Sequence, residues 1–163
     1  MAIVGYMGSG KTTLGRALAR ALRLEFVDLD RAIVREAGKG IPEIFAEHGE
    51  NVFRDLEHRA LLDALEKRMP GVIACGGGIV VRQDNRALLR DVTTVFLRDD
   101  TDVLYQRTRG PGRPLRAASR EEFELRYTER LPFYREVADI EVEVDGRPPA
   151  EVAEEVLRCL SRR

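Results

Sequence analysis

The residues best suited to chemistry lie near the start of the chain, in the segment GYMGSGKT from Gly5 to Thr12. Its form, G-x-x-x-x-G-K-[ST], is typical of loops that bind nucleotide phosphates. Glycines let successive backbone N–H groups turn toward phosphate, and the N-terminus of the following helix favours negative charge there. Lys11 would reach the β- and γ-phosphates, and the Thr12 hydroxyl would ligate Mg²⁺. The predicted nucleotide-binding residues of this loop are Gly8, Ser9, Gly10, Lys11, Thr12 and Thr13.

The segment FVDLD covers residues 26–30 and contains two carboxylates at the end of the second predicted strand, which ends at Asp28. Because ligands of open α/β sheets gather at the carboxyl ends of the strands, Asp28 and Asp30 are expected beside the phosphate loop. Asp28 is placed to hold the metal through its water shell. Asp30 can take the proton of a substrate hydroxyl that receives the phosphoryl group, which is here called the acceptor. The alternative is that either carboxylate simply caps the next helix.

Three arginines stand out in a chain whose other arginines are mostly expected to face solvent. Arg54 lies in NVFRDLE, where Glu57 follows three residues later and can orient the guanidinium. Arg130 lies in ERLPFYREVAD, near a helix end. Two forked guanidiniums that face one pocket suit a planar carboxylate. Arg113, in the loop GPGRPLR, is expected to be a lid residue that swings onto the transferring phosphoryl group.

A second glycine cluster, Gly76–Gly78, directly follows the apolar run VIAC. Phosphate is the usual ligand of such clusters, but the loop that ends at Thr12 already fills that role. The position of the triplet at the end of the third predicted strand places it at the ligand-binding edge of the sheet and leaves its ligand open at this point. Missing side chains would leave room for a compact ring, and backbone N–H groups could meet a hydroxyl or a carboxylate. The alternative is a tight turn out of the strand.

The phosphate loop leaves three classes of protein open: an NTP-hydrolysing switch or motor, a nucleotide kinase, and a kinase for another small molecule. The sequence contains no N-K-x-D motif of the kind that G proteins use to bind guanine. A motor should have an apolar strand that ends in acidic residues, and the segment VFLRDD is the one candidate. Asp99 and Asp100 in this segment are better explained as caps of the helix that begins at Thr101.

Six motifs occur in the order GYMGSGKTTLG, FVDLD, FRDLE, CGGGIV, GRPL and RLPFYREVAD. Together they closely resemble the shikimate kinase family, and the resemblance runs over nearly the whole chain, from residue 3 to about 157. It implies ATP-dependent phosphorylation of the 3-hydroxyl of shikimate, with Mg²⁺, in chorismate and aromatic amino acid biosynthesis. The alternatives are another small-molecule kinase of this fold, such as one for gluconate or a nucleoside monophosphate, and a non-catalytic nucleotide-binding switch.

The resemblance also implies a role for individual residues. The catalytic residues would be Asp30, Lys11 and Arg113, and the metal would be held by Thr12 and Asp28. The ATP site would include Arg107, Arg113 and Pro149 in addition to the phosphate loop, with Arg107 and Pro149 beside the adenine. The shikimate site would consist of Asp30, Arg54, Gly76, Gly77, Gly78 and Arg130.

The elements that must position these residues follow from the hydrophobic pattern. Short apolar runs predict buried parallel strands at AIV, LEFVDLD, VIAC, TTVFL and IEVEV. Helices are predicted between them over 11–22, 30–37, 42–68, 101–108, 121–137 and 149–160, with a break or bend at Gly49. The pattern predicts one α/β domain over residues 1–163, a five-stranded parallel sheet with helices on both faces. The resemblance adds the P-loop fold of nucleoside-monophosphate kinases, with a substrate-binding segment at about 30–59 and a lid at about 109–119.

Composition narrows the range of partners. The chain is 44% hydrophobic and 34% charged, and its net charge of −1 gives no general attraction to nucleic acid or anionic membranes. The N-terminus lacks the features of a signal peptide, and no run approaches the roughly 18 apolar residues of a membrane span. Cys75 and Cys159 are expected to be small buried or half-buried residues, and His48 and His58 to be non-catalytic. We expect a cytoplasmic monomer that binds neither nucleic acid nor membrane.

Overall fold

The computed structural model of the protein describes residues 1–66, 71–108 and 119–162. Its sheet is made of the strands β1 Ala2–Gly5, β2 Glu25–Asp28, β3 Gly71–Ala74, β4 Thr94–Arg98 and β5 Ile140–Glu143. All neighbouring strands are parallel, and their order across the sheet is β2-β3-β1-β4-β5. The five-stranded parallel sheet predicted from the sequence is confirmed.

The helices alternate with these strands along the described part of the chain. They are α1 Lys11–Leu22, α2 Leu29–Ala37, α3 Ile41–Glu66, α4 Gln83–Arg90, α5 Thr101–Arg107, α6 Arg120–Val137 and α7 Pro149–Leu160, with a short 3₁₀ helix at Ile79–Val81. The predicted break in the long helix is confirmed, because Gly49 interrupts α3 with a φ of 76°. None of these helices combines the length and the hydrophobicity needed to cross a bilayer.

The stretch between β3 and β4 contains two elements that the hydrophobic pattern does not predict, the 3₁₀ helix and α4. The sequence of α4 is QDNRALLR, and its buried residues are Asn85 and Leu89. A polar residue occupies one of the two buried positions, so the sequence does not show the regular apolar spacing that predicts an amphipathic helix. The burial of Asn85 is therefore visible only in the tertiary structure.

Apolar residues pack against both faces of the sheet, because alternate residues of a strand point to opposite faces. Val4 and Phe96 belong to a cluster that includes residues of α2, α3, α4, α5 and α6. Ile3 and Val95 belong to a second cluster, which includes residues of α1 and α7. The prediction of helices on both faces is confirmed, with five helices on one face and two on the other within the described residues.

The carboxyl ends of the strands determine where functional side chains meet. In the parallel register, Asp28 at the end of β2 lies level with Ala74 of β3, and Ala74 lies level with Ile3 of β1. The phosphate loop follows β1, helix α2 follows β2, and Gly76–Gly78 follow β3. All three segments therefore reach the same edge of the sheet, where folds of this class bind ligands.

The sequence predicts a substrate-binding segment and a lid, and the structure describes all of the first but little of the second. The proposed substrate-binding segment, 30–59, corresponds to α2 and most of α3. Of the proposed lid, 109–119, only Ser119 belongs to the described residues, and Arg113 lies outside them. Both assignments remain predictions.

Candidate active site

A cavity of about 920 Å³ opens at the carboxyl edge of the sheet. This volume is in the range of sites that enclose small organic ligands. The cavity brings together every predicted site residue that belongs to the described part of the chain: Gly8, Ser9, Gly10, Lys11, Thr12, Thr13, Asp28, Asp30, Arg54, Gly76, Gly77, Gly78, Arg107, Arg130 and Pro149. The residues predicted to bind the nucleotide and those predicted to bind the acceptor thus line one cavity.

The phosphate loop, Gly5–Thr12, has the backbone geometry that its glycines allow. Gly8 and Gly10 adopt left-handed conformations with φ values of 86° and 91°. A β-carbon at Gly8 would lie 2.9 Å from the carbonyl oxygen of Leu104 in α5, so no larger residue fits there without a shift. Gly10 is the N-cap of α1, and within the described residues no atom lies within 4 Å of the place where its β-carbon would be. The loop therefore presents an open helix N-terminus to the cavity, a geometry that fits a nucleotide phosphate.

Lys11 is folded back over its own loop. Its Nζ donates to the carbonyl oxygen of Tyr6 at 2.8 Å and lies 3.4 Å from the Ser9 hydroxyl. The ammonium group therefore stays at the mouth of the loop, where the phosphates of a bound nucleotide would lie.

Thr12 and Asp28, the two predicted metal ligands, are hydrogen-bonded to each other. The Thr12 hydroxyl donates to Oδ2 of Asp28 at 2.9 Å, and Oδ1 of Asp28 accepts from the backbone N–H of Arg31 at 3.3 Å. Asp28 is therefore the N-cap of α2, as the alternative prediction held, while its other oxygen faces the phosphate loop. Capping of α2 by Asp28 is thus observed, and its role toward a metal stays a prediction.

This oxygen pair fits magnesium better than a metal that needs several protein ligands. Among the described residues, no group of three or more His, Cys, Asp or Glu side chains could hold a metal ion. Mg²⁺ prefers oxygen ligands and usually combines one or two from the protein with waters and substrate phosphates. Thr12 and Asp28 offer that limited set beside the loop.

Asp30 lies one residue into α2 and lines the cavity half-buried. A β-carbon added to Gly76 would lie 2.9 Å from Oδ1 of Asp30. The carboxylate therefore reaches across to the glycine triplet, on the acceptor side of the phosphate loop. A hydroxyl bound in this part of the cavity could transfer its proton to Asp30.

Arg54 is held by two glutamates of its own helix, α3. Its Nη1 donates to Oε2 of Glu57 at 2.8 Å, and its Nη2 donates to Oε1 of Glu50 at 2.8 Å. The Glu57 side chain is only 1% exposed, whereas that of Glu50 is 58% exposed. The prediction that Glu57 orients Arg54 is confirmed by this geometry.

Glu57 is an unusual partner because it is buried at the edge of the cavity. Burial raises the pKa of its carboxyl group above the ordinary value, and the guanidinium of Arg54 opposes that shift. Within the described residues, Oε1 of Glu57 has no hydrogen-bond partner. This oxygen is turned toward Gly76, where an added β-carbon would lie 2.5 Å from it.

Arg130 and Tyr134 lie on successive turns of α6 and contact the glycine triplet. The Tyr134 hydroxyl donates to the carbonyl oxygen of Gly77 at 2.5 Å, and Nη1 of Arg130 lies 3.4 Å from the same oxygen. The Arg130 guanidinium also lies 5.6 Å from the centre of the Tyr6 ring. Helix α6 therefore carries Arg130 and contacts the middle residue of the triplet.

The glycine triplet makes room for protein side chains, which its sequence does not reveal. Gly76 leaves space for Glu57 and Asp30, and a β-carbon at Gly78 would overlap the guanidinium of Arg54. Gly77 lies against the phosphate loop, where an added β-carbon would be 3.3 Å from the backbone nitrogen of Met7. The triplet thus accommodates the acidic and basic side chains of the cavity. Contacts between its N–H groups and a ligand remain a prediction.

The acidic pair after β4 has two separate roles. Asp100 is the N-cap of α5 and accepts from the backbone N–H of Asp102 at 2.8 Å, which confirms that prediction. For Asp99 the capping prediction is wrong. Its buried carboxylate instead accepts a hydrogen bond from Nη1 of Arg107 at 2.7 Å. The type of residue alone could not separate these roles, because the side chain of Asp99 points inward from the strand end.

The cavity lining near Pro149 includes a residue that the sequence did not indicate. Arg147 lines the cavity near Pro149, and its Nη1 lies 2.5 Å from Oε2 of Glu155 in α7. Arg147 is one of many arginines, and nothing in its neighbours distinguishes it except the prolines that start α7. Its place in the cavity depends on how α7 packs against the sheet.

The cysteines have the burial expected of them. Cys75 is buried and Cys159 is half-buried, and burial raises the pKa of the Cys75 thiol. A thiol that stays protonated is a poor nucleophile. His48 is exposed on α3, while His58 is half-buried and contacts Asn85.

Comparisons with known proteins agree with this geometry. A family model described as shikimate kinase matches residues 7–161. Curated shikimate kinases include one from Gloeobacter violaceus, 45% identical over 99% of this chain and 92% of that protein. Another, from a Marinomonas species, is 40% identical over 98% of this chain and 91% of that protein.

Solved structures give the same result at the level of the fold. A shikimate kinase from Acinetobacter baumannii in complex with shikimate superposes with a TM-score of 0.93 at 35% identity, covering 99% of this chain and 92% of that one. The Aquifex aeolicus shikimate kinase gives 0.87 at 36% identity, covering 99% and 96%. A gluconokinase from Sinorhizobium meliloti gives 0.58 at 20% identity, covering 99% and 90%, which shows a shared fold and no more. The chain belongs to the shikimate kinase family.

Proposed function

We propose that this protein transfers the γ-phosphate of ATP to the 3-hydroxyl of shikimate, in the biosynthesis of chorismate and aromatic amino acids. The observation that carries the proposal is one cavity that joins a phosphate loop to a carboxylate, Asp30, and to two arginines, Arg54 and Arg130. Shikimate offers a carboxylate and three hydroxyls, and this set of side chains matches those groups. Membership of the shikimate kinase family supports the same substrate.

The nucleotide half of the cavity would bind ATP through backbone and side chain together. The N–H groups of the phosphate loop and the N-terminus of α1 would hold the phosphates, and Lys11 would leave the Tyr6 carbonyl to contact them. Arg107, oriented by Asp99, and Pro149 line the same cavity and would flank the adenine. The charge on Lys11 would stabilise the phosphoryl group as it moves.

The metal would be held by Thr12 directly and by Asp28 through water. Bound with ATP, Mg²⁺ would neutralise charge on the phosphate oxygens. The hydrogen bond between Thr12 and Asp28 already brings the two oxygen ligands together, so little rearrangement of the protein is needed.

The acceptor half would use charge to orient the substrate and Asp30 to activate it. Arg54 and Arg130 would bind the shikimate carboxylate, because forked guanidiniums match its planar shape. This leaves the ring to extend toward Asp30, which would accept the proton of the attacking hydroxyl. The backbone N–H groups of Gly76–Gly78 would complete the contacts with the ring hydroxyls.

Arg113 and the lid at about 109–119 would complete the site during turnover. Closure would exclude water, which could otherwise accept the phosphoryl group, and would bring the Arg113 charge to that group. We further propose that the enzyme works as a monomer in the cytoplasm, without nucleic acid or membrane partners. This part rests on the sequence composition described above.

A coupled assay of ADP release with a panel of acceptors tests the proposal. We expect turnover with ATP, Mg²⁺ and shikimate, and little turnover with gluconate or nucleoside monophosphates. Turnover on one of those alternatives without shikimate-dependent turnover would identify another small-molecule kinase. ATP binding without acceptor-dependent ADP release would indicate a nucleotide-binding switch, and either result would overturn the proposal.

A further inference from the structure

The turn that carries the glycine triplet lies between the two arginines of the proposed acceptor site. We define the acceptor turn as residues Gly76–Val81, which cover the triplet and the 3₁₀ helix. On one side, Gly78 touches the guanidinium of Arg54 so closely that a β-carbon would overlap it. On the other side, the carbonyl oxygen of Gly77 faces Arg130 and Tyr134 of α6. A displacement of the turn would therefore disturb both arginines.

A turn of this shape needs partners for its carbonyl groups. A 3₁₀ helix of three residues forms few internal hydrogen bonds, and its last carbonyls must find partners elsewhere. Ile79 and Val80 are completely buried, so water is a poor partner for their carbonyl groups. Two consecutive residues of α4, Asn85 and Arg86, supply the missing donors.

Asn85 joins the acceptor turn to α3. It is fully buried, its Nδ2 donates to the carbonyl oxygen of Ile79 at 3.0 Å, and its Oδ1 lies 2.7 Å from Nδ1 of His58. Because the Ile79 carbonyl can only accept, the amide nitrogen must face it, and Oδ1 is left to accept from His58. His58 directly follows Glu57, the buried partner of Arg54. The amide thus links the turn to the part of α3 that orients Arg54.

Arg86 joins the same turn to α6. Its Nη1 donates to the carbonyl oxygens of Val80 at 2.8 Å and Val81 at 3.1 Å. The guanidinium lies 4.4 Å from the centre of the Phe133 ring, and its Nε lies 3.0 Å from Oε2 of Glu136. Phe133 and Glu136 flank Tyr134 on the helix that carries Arg130. The Arg86 side chain is only 13% exposed, so these contacts are largely shielded from water.

We propose that Asn85 and Arg86 form a clamp that positions the acceptor turn, and through it Arg54 and Arg130, for binding of the shikimate carboxylate. The inference rests on the proposed function, because it takes the two arginines as the carboxylate site. Neither clamp residue lines the cavity, so both act through other residues. Loss of the clamp should weaken the binding of shikimate more than that of ATP, because the clamp contacts the turn at Ile79–Val81 and not at Gly77, the residue that lies against the phosphate loop.

The test compares Arg86→Met with Arg90→Met. Arg90 lies on the same helix and contacts the same glutamate, with Nη1 3.0 Å from Oε1 of Glu136, but its side chain is 52% exposed. We expect Arg86→Met to raise the KM for shikimate by about tenfold to a hundredfold, since small misplacements of a binding group have effects of that size. The KM for ATP should change by less than about twofold, and Arg90→Met should leave both values within about twofold.

A double-mutant cycle shows whether the clamp acts through Arg54. Arg54→Met should itself raise the KM for shikimate, and adding Arg86→Met should have less than its full effect, because its target is already lost. Arg90→Met combined with Arg54→Met should be additive. Arg86→Lys, which keeps the charge near Glu136 but lacks the fork, should fall between wild type and Arg86→Met. It also serves as the second variant, together with Asn85→Asp, if Arg86→Met fails to fold.

The outcomes separate the inference from the proposed function. If the folded Arg86 and Asn85 variants lose thermal stability but keep the wild-type KM for shikimate, the clamp is merely structural and the inference is overturned. Full additivity of Arg86→Met with Arg54→Met would overturn it as well. Wild-type protein without shikimate turnover would overturn the proposed function and the inference together. Arg54→Met with an unchanged KM for shikimate would overturn the inference and the role of Arg54, but not the proposed function.

Discussion

The two halves of the cavity are built in different ways. The proposed nucleotide half depends mainly on one continuous segment, Gly5–Thr12, whose backbone conformation and following helix create the predicted phosphate site. The acceptor half collects Asp30 from α2, Arg54 from α3, the triplet after β3 and Arg130 from α6. The first half is therefore a local structure, whereas the second depends on how four separate segments pack.

Glycines show this difference most clearly. Gly10 of the phosphate loop needs a left-handed backbone with a φ of 91°, but a β-carbon would touch none of the described residues. Gly78 has a φ of −102°, which any residue can adopt, but a β-carbon would overlap Arg54. One glycine is required by the backbone and the other by a neighbouring side chain. Substitutions at these two glycines can therefore test the nucleotide half and the acceptor half of the cavity separately.

Replacing Asp30 with asparagine should have the largest effect, because it removes the proposed proton acceptor of the acceptor half. We expect kcat to fall by about a hundredfold to ten-thousandfold, while the affinity for ATP stays nearly unchanged. Steady-state kinetics with each substrate varied in turn measure both quantities. Glu36→Gln, an exposed change on the same helix, is the control. Activity of Asp30→Asn within a few-fold of wild type would remove Asp30 from the mechanism.

Replacing Gly78 with alanine should damage the acceptor half alone. The added methyl group would displace the Arg54 guanidinium, and we expect the KM for shikimate to rise by about tenfold or more. The KM for ATP should change little. Titration calorimetry with each substrate, together with a melting curve, separates lost binding from lost stability. An unchanged affinity for shikimate would mean that Arg54 does not bind it, or that the guanidinium moves aside without consequence.

Replacing Gly10 with alanine should show the reverse pattern, with weaker binding of ATP and nearly unchanged binding of shikimate. The left-handed conformation costs a residue with a β-carbon roughly 1–2 kcal/mol. We expect this strain to weaken ATP binding by about tenfold and to leave shikimate binding within about twofold. The same calorimetric measurements apply. A variant that loses both affinities equally would show that the two halves are not independent.

The smallest expected effect concerns the pH dependence of stability at Glu57. Its raised pKa means that the folded protein holds this proton more firmly than the unfolded chain, whose carboxyl has the ordinary value of 4.5. As the pH rises from that value through the raised pKa, the folded state must give up the proton, so the free energy of unfolding falls. Glu57→Gln cannot lose a proton and should lack this contribution to the fall.

Urea unfolding of wild type and Glu57→Gln over a pH series measures the difference. Glu50→Gln, which removes the exposed partner of the same arginine, is the matched control and should keep the wild-type trend. A wild-type stability that rises relative to Glu57→Gln across this window would show that the attraction of Arg54 outweighs burial, and that the pKa of Glu57 is lowered.

Most of the fold was predictable because its elements follow simple patterns. The buried strands are short apolar runs, and α7 extends over the predicted residues 149–160. Residues 79–93 were the exception, since a 3₁₀ helix and a helix with a buried asparagine have no clear apolar period. These elements carry the proposed clamp, so the part of the acceptor half that the pattern did not predict is also the part that positions it.

The sequence predicted which residues line the candidate site, but it did not predict how their side chains contact one another. Glycine, lysine, aspartate and arginine in recognisable motifs identified residues that do line one cavity. Their spacing did not reveal that Asp28 both caps α2 and binds Thr12, or that Asp99 holds Arg107. A side chain near a strand end can turn inward or outward, and the choice depends on the neighbours that packing supplies.

The sequence by itself determined the parallel α/β fold, the phosphate loop and the family, because these depend on local backbone preferences, on hydrophobic period and on contiguous motifs. Only the tertiary structure decided what the glycine triplet accommodates and how Arg54, Glu57 and Asp30 share the space beside it. Asp30, the Arg54–Glu57 pair and the triplet are far apart in the chain, and their contacts arise from the packing of α2 and α3 around one edge of the sheet. Contacts between distant segments depend on volume and burial, which a linear pattern does not contain.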